Sequence, residues 1–123
     1  MQAYVTFGTL APTDQVVLKD DTLTLEAFAT RLKGKHQAAL AQEKPPLFSQ
    51  ISIPYKGKQE TYYSYCATHS IHNFGKQRLV INFRAADLSD SPQFYTSNCL
   101  QWQADGITRI RRHRWPVEVY HEE

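Results

Sequence analysis

The sequence predicts a mixed α+β domain, an antiparallel β meander with a C-terminal helix, on three observations. Stretches rich in β-branched and aromatic residues occupy 47–55, 61–72 and 78–85, and the hairpin-type sequences Lys56-Gly57-Lys58 and Asn73-Phe74-Gly75-Lys76 join them. Leu25, Phe28, Ala29 and Leu32 recur at the i, i+3, i+4, i+7 spacing of a single helix face. From Ala104 onward Ile107, Ile110 and Val117 lie on one flank of a closing helix, while Arg111, Arg114, Glu118 and Glu122 share another.

In chain order, residues 3–7 and 15–18 read as short strands separated by Ala11-Pro12-Thr13-Asp14. Thr24 is placed to cap the first helix and Gly34 to end it. Residues 35–43 can add a turn or two, and Pro45-Pro46 stops any helix there because proline supplies no amide donor and restricts the residue before it. In the last meander strand Leu79, Ile81 and Phe83 alternate with Val80, Asn82 and Arg84, which predicts one apolar and one mixed face. A polar loop at 87–92 and a short strand at 94–97 lead into the closing helix. Pro116 cannot donate to the carbonyl of Arg112, so a bend is expected just ahead of Glu118.

Composition bounds the function classes. A chain of 123 residues with 41% hydrophobic and 12% aromatic content has the material for one core. Fourteen basic and twelve acidic residues leave a net charge of +2, so any affinity for an anionic partner must come from local concentration of charge. Cys66 and Cys99 show no paired spacing and the N-terminus lacks a signal-peptide layout, which together suggest a reducing cytoplasm. No apolar run approaches the roughly 20 residues of a membrane span, so no membrane partner is expected.

The positive charge gathers near the C-terminus. Arg109, Arg111, Arg112 and Arg114 fall within six residues, a density suited to a phosphate backbone, although a solvated helix face is the commoner meaning of such a run. Arg114 and Glu118, four apart, share a helix face. As an exposed pair they contribute only a few tenths of a kcal/mol, and arginine before glutamate is the weaker order on a helix, so function explains that order better than stability. Cys66, His69 and His72 invite a zinc reading by their spacing, but strand alternation sends His69 to the face opposite the other two. Tyr62, Tyr63 and Tyr65 are expected to pack in the sheet, and Trp102 and Trp115 to dock the closing helix.

Arg114-Trp115-Pro116-Val117-Glu118, with Thr96-Ser97-Asn98 and Trp102 upstream, resembles the C-terminal signature of bacterial insertion-sequence DDE transposases. That signature is a tyrosine, two residues, an arginine, three residues, the catalytic glutamate, six residues and a lysine. Arg114 and Glu118 match it, Arg111 stands in the tyrosine's place, and the lysine falls beyond Glu123. The resemblance runs over 77–123 and is looser upstream, at Tyr4-Val5-Thr6 and through the hairpin-rich middle. It implies the late part of a ribonuclease-H-like core carrying a β insertion. One partial catalytic domain would then span 1–123: a strand and helix segment at 1–44, the β-rich insertion at 45–100, and the glutamate-bearing helix at 101–123. Glu118 would be catalytic and metal-ligating, and Arg109, Arg111, Arg112 and Arg114 would meet DNA phosphates. The implied parent enzyme uses Mg²⁺ or Mn²⁺ to cut and rejoin DNA, since hard oxygen ligands suit those ions. Its two aspartates would lie upstream, so a chain supplying only the glutamate is expected to be inactive alone and to hold no metal tightly. The expected partner is DNA, with self-association possible through an orphaned core strand. A second reading is a small non-catalytic β-rich module that binds DNA or a protein through the arginine helix.

Overall fold

The computed structural model describes residues 6–113, in which seven strands and two helices follow one another. They are β1 (Phe7–Leu10), β2 (Gln15–Val17), β3 (Thr22–Thr24), α1 (Leu25–Ala41), β4 (Ser49–Tyr55), β5 (Lys58–Ile71), β6 (Gly75–Phe83), β7 (Gln93–Ser97) and α2 (Ala104–His113). The architecture is α+β, a curled antiparallel sheet in the order β1-β7-β6-β5-β2-β3, with β4 also on β5.

β5 organises the sheet because it is long enough to hold three partners. β6 pairs with residues 63–71 along one edge; on the other, β4 pairs with 58–64 and β2 with Ser70 and Ile71. The expected meander is therefore present as β4, β5 and β6. β1 pairs with β7 from Phe7 opposite Ser97 to Leu10 opposite Phe94, so the first segment of the chain and the β-rich middle share one sheet. The first strand runs further along the chain than expected. Residues 3–5 lie outside the described part, and the strand seen extends through Gly8, Thr9 and Leu10, where β7 supplies the hydrogen-bonding partners.

α1 starts where expected, with Thr24 Oγ1 accepting the Ala27 amide at 3.2 Å. It does not end at Gly34. A Cβ at that position would meet no other atom within 4 Å, so glycine lies on an open side, and the apolar stripe continues through His36 and Ala39. The helix closes instead at Glu43, which takes a φ of +56° while its own amide reaches Leu40 O at 3.2 Å and the Lys44 amide reaches Ala39 O at 2.8 Å. This is a Schellman closure, followed by Pro45-Pro46 as the stop.

Strand alternation sends the two helices to opposite faces. Leu79, Ile81 and Phe83 of β6 pack with Leu25, Phe28, Ala29 and Leu32 of α1. Val80 packs with Ala104, Ile107 and Ile110 of α2, together with Phe7 and Tyr95. The face of β6 expected to be mixed is thus buried as well. Its polar member Asn82 is satisfied on both sides: its amide donates to Thr108 Oγ1 at 2.8 Å and its carbonyl accepts the Ser64 hydroxyl. Among the described residues no helix is long and apolar enough to cross a membrane.

Candidate functional site at the end of helix α2

α2 begins near Ser49 and Cys66, which line a cavity with Ala104 and Asp105, and ends beside Pro54 and Tyr55, so it follows the direction of β4. Trp102 seats its first turn. The indole meets Phe7 edge to face at a 4.9 Å centroid separation, and its backbone carbonyl accepts Arg78 Nε at 2.9 Å. Trp102 is thereby a dock for the closing helix, as expected, while Trp115 lies outside the described residues.

The arginine run divides by function. Arg109 is exposed and, among the described residues, takes no partner. Arg111 reaches β1, donating from Nη1 to Phe7 O and from Nη2 to Thr9 Oγ1, each at 3.2 Å. Its Nε is buried without an acceptor among the described residues. Beside it opens a surface cavity of about 520 Å³ lined by Thr9, Pro12, Gln93, Phe94 and Tyr95. Arg112 turns the other way and forks onto Glu60, with Nε–Oε1 at 2.7 Å and Nη2–Oε2 at 3.0 Å. The same guanidinium lies 3.8 Å from the centroid of the Tyr55 ring. Arg114 and Glu118, the remaining residues singled out from sequence, fall outside the described part, as does the bend expected at Pro116.

Glu60 is the anchor that sequence reading overlooked. The Arg112 hydrogen bonds hold its carboxyl down at about 2, against the opposing effect of burial, and the Tyr62 hydroxyl donates to it at 3.0 Å. The signal was weak: Lys58, Glu60 and Tyr62 alternate along one face of β5, but nothing local names a partner 52 residues away. Arg84 then lies 4.5 Å from the Tyr62 ring centroid, and Lys56 lies 5.3 Å from that of Tyr55. A cluster of cations laid over tyrosine rings results, with one carboxylate at its centre.

The described residues do not by themselves fit a Mg²⁺ or Mn²⁺ site. No group of three or more histidine, cysteine or acidic residues gathers among them. Asp90 accepts the amides of Arg84 and Ala85 at 2.8 and 3.1 Å, and Asp14 that of Ala11 at 2.7 Å, so these carboxylates fix loops. Cys66 packs on the α2 side, where burial pushes its thiol up, and His69 packs against Phe28 on the α1 side, which separates the zinc candidates as strand alternation requires. Tyr62 is buried, and Tyr65 donates to or accepts from His69 Nε2 at 2.8 Å, so these rings serve the sheet.

Comparison of the chain with protein-family models, with characterised proteins and with solved structures finds no match to any of them.

Proposed function

We propose that this chain is the glutamate-bearing part of a DDE transposase catalytic domain of ribonuclease-H-like type, and that it does not cut DNA alone. The parent activity on this reading is metal-dependent DNA strand cleavage and transfer in a cytoplasmic setting. The observation that carries it is the Arg114-Trp115-Pro116-Val117-Glu118 sequence, which continues directly from α2. The position of α2 supports it. α2, which ends five residues before Glu118 in the sequence, rests on β1, and Arg111 ties the two together through Phe7 and Thr9. A glutamate helix beside the first strand is the arrangement the resemblance implies. The second half of the proposal follows from the resemblance, in which two aspartates share the ions with the glutamate, because one carboxylate cannot hold the ions that phosphoryl transfer of this kind requires.

Two measurements test it. Supercoiled plasmid incubated with the purified chain and Mg²⁺ or Mn²⁺ is expected to remain intact; nicking that disappears in Glu118→Gln would overturn the claim of inactivity. The genomic reading frame around the coding sequence tests parentage: two aspartates upstream and a lysine seven positions past Glu118, with six residues between them, are expected, and a frame that contains neither defeats the assignment.

A further inference from the structure

We propose that the β4–β5 hairpin, backed by the last turn of α2, is a duplex-DNA contact that enters the major groove and holds the phosphates on either side. This goes beyond the catalytic reading and does not rest on it, since every residue involved is described and Glu118 takes no part.

The shape comes from strand register. β6 reaches β5 only as far as Phe83 opposite Tyr63, whereas β4 continues along β5 from Ser49 opposite Ser64 to Tyr55 opposite Lys58. Residues 58–62 of β5 therefore have β4 as their single strand partner, and the pair projects from the sheet as a two-stranded ribbon about 15 Å long at the usual rise per residue. Its tip is tight: Lys56 and Gly57 take φ values of +50° and +77°, the two-residue loop that matches strand twist. A ribbon of this kind fits the major groove of B-DNA, and the narrow, deep major groove of A-form RNA does not admit it.

The charge is arranged to match. Lys56 stands in the tip and Lys58 directly follows it, and Arg84 extends across Tyr62 at the ribbon's base; all three are exposed and, among the described residues, form no ion pair with a carboxylate. Glu60, the ribbon's one acid, is already occupied by Arg112, so it does not repel a phosphate as a bare carboxylate would. Arg112 and Lys56 lie against the Tyr55 ring and Arg84 against Tyr62, which restricts these long side chains before any ligand arrives. The covered rings also exclude the alternative of base stacking on a single strand, which needs an open aromatic face. On the ribbon's other face Ser52, Gln59 and Thr61 present uncharged hydrogen-bonding groups.

The test is fluorescence anisotropy with a labelled 30-base-pair duplex across a series of salt concentrations. Wild-type affinity is expected to fall steeply with salt. Lys56→Glu/Lys58→Glu should weaken binding at least tenfold and reduce the salt slope by about two, since each neutralised phosphate contributes roughly 0.9. Lys19→Glu/Lys35→Glu makes the same charge change on exposed positions elsewhere and should stay within about twofold. The neutral pair Lys56→Asn/Lys58→Gln, checked for an unchanged thermal midpoint, separates lost contacts from lost folding and should also weaken binding. Equal losses in the tip and control variants, a flat salt response, or tighter binding to duplex RNA or to phosphatidylserine vesicles than to DNA would each overturn the proposal.

Discussion

His36 lies on the buried face of α1, and its Nδ1 accepts the Phe48 backbone amide at 3.1 Å while the ring meets Phe48 edge to face. That bond requires a lone pair on Nδ1, so the folded protein holds the neutral ring with its proton on Nε2. Desolvation by burial acts in the same direction, lowering the group below its ordinary 6.5. The unfolded chain then binds more protons than the folded one as pH falls. Stability from this contact is complete above about pH 6.5 and declines as pH drops through 6.5 toward the lower folded value. His69, lowered by burial against Phe28, adds a loss of the same sign. Urea midpoints measured at pH 7.5 and pH 5 should therefore fall with acid, and His36→Asn, whose side-chain oxygen can accept the same amide without titrating, should fall by less. Equal declines in the two proteins would show that His36 is not a source.

At the scale of elements, what sequence reveals is what local chemistry decides. Lys56-Gly57 and Asn73-Phe74-Gly75 name their hairpins because positive φ is required there, and Thr24 names the start of α1 through its cap. The far end of α1 was less legible. Gly34 carries an entropic cost in a helix, but packing of His36 and Ala39 outweighs it, and a glutamate rather than a glycine adopts the left-handed closing position. Gly106 is the opposite case, a helix glycine held by a tertiary contact. A Cβ there would stand 2.8 Å from Trp102 Cε3 and 3.0 Å from Cζ3. Gly106→Ala gains roughly 1 kcal/mol of helix propensity and incurs overpacking of about 1–3 kcal/mol, so a net loss on the order of 1 kcal/mol is expected. The sign should reverse in a Trp102→Leu background, where the ring that obstructs the methyl is gone. Chemical denaturation of the four proteins in that cycle measures it, and a stabilising Gly106→Ala in the wild-type background would refute the close approach.

The whole molecule is where sequence reasoning stopped, because its decisive contacts join residues that no local pattern connects. β1 beside β7, Arg111 on Phe7 and Arg112 on Glu60 depend on how the sheet curls, and the arginines that read as a uniform basic run divide between structural and exposed roles only once it has curled. Among the described residues the same curl leaves β1 at an edge. Among the described residues it has one strand neighbour, although Phe7 and Leu10 are buried on its two faces, so it has the packing of an interior strand and the backbone pairing of an outer one. Edge strands are ordinarily protected by lysine, proline, bulges or a covering element. Phe7-Gly8-Thr9-Leu10 contains no charge and no proline, and among the described residues the Arg111 side chain reaches the Phe7 carbonyl and the Thr9 hydroxyl at this edge. A guanidinium at that edge can satisfy a carbonyl but cannot replace a ladder of paired amides. The expected outcome is self-association through β1: the light-scattering mass should rise from monomer toward dimer with protein concentration, and the β1 amides that face away from β7 should gain protection from hydrogen exchange as it does. A mass that stays monomeric at the highest attainable concentration, with those amides exchanging freely, would show that Arg111 is protection enough.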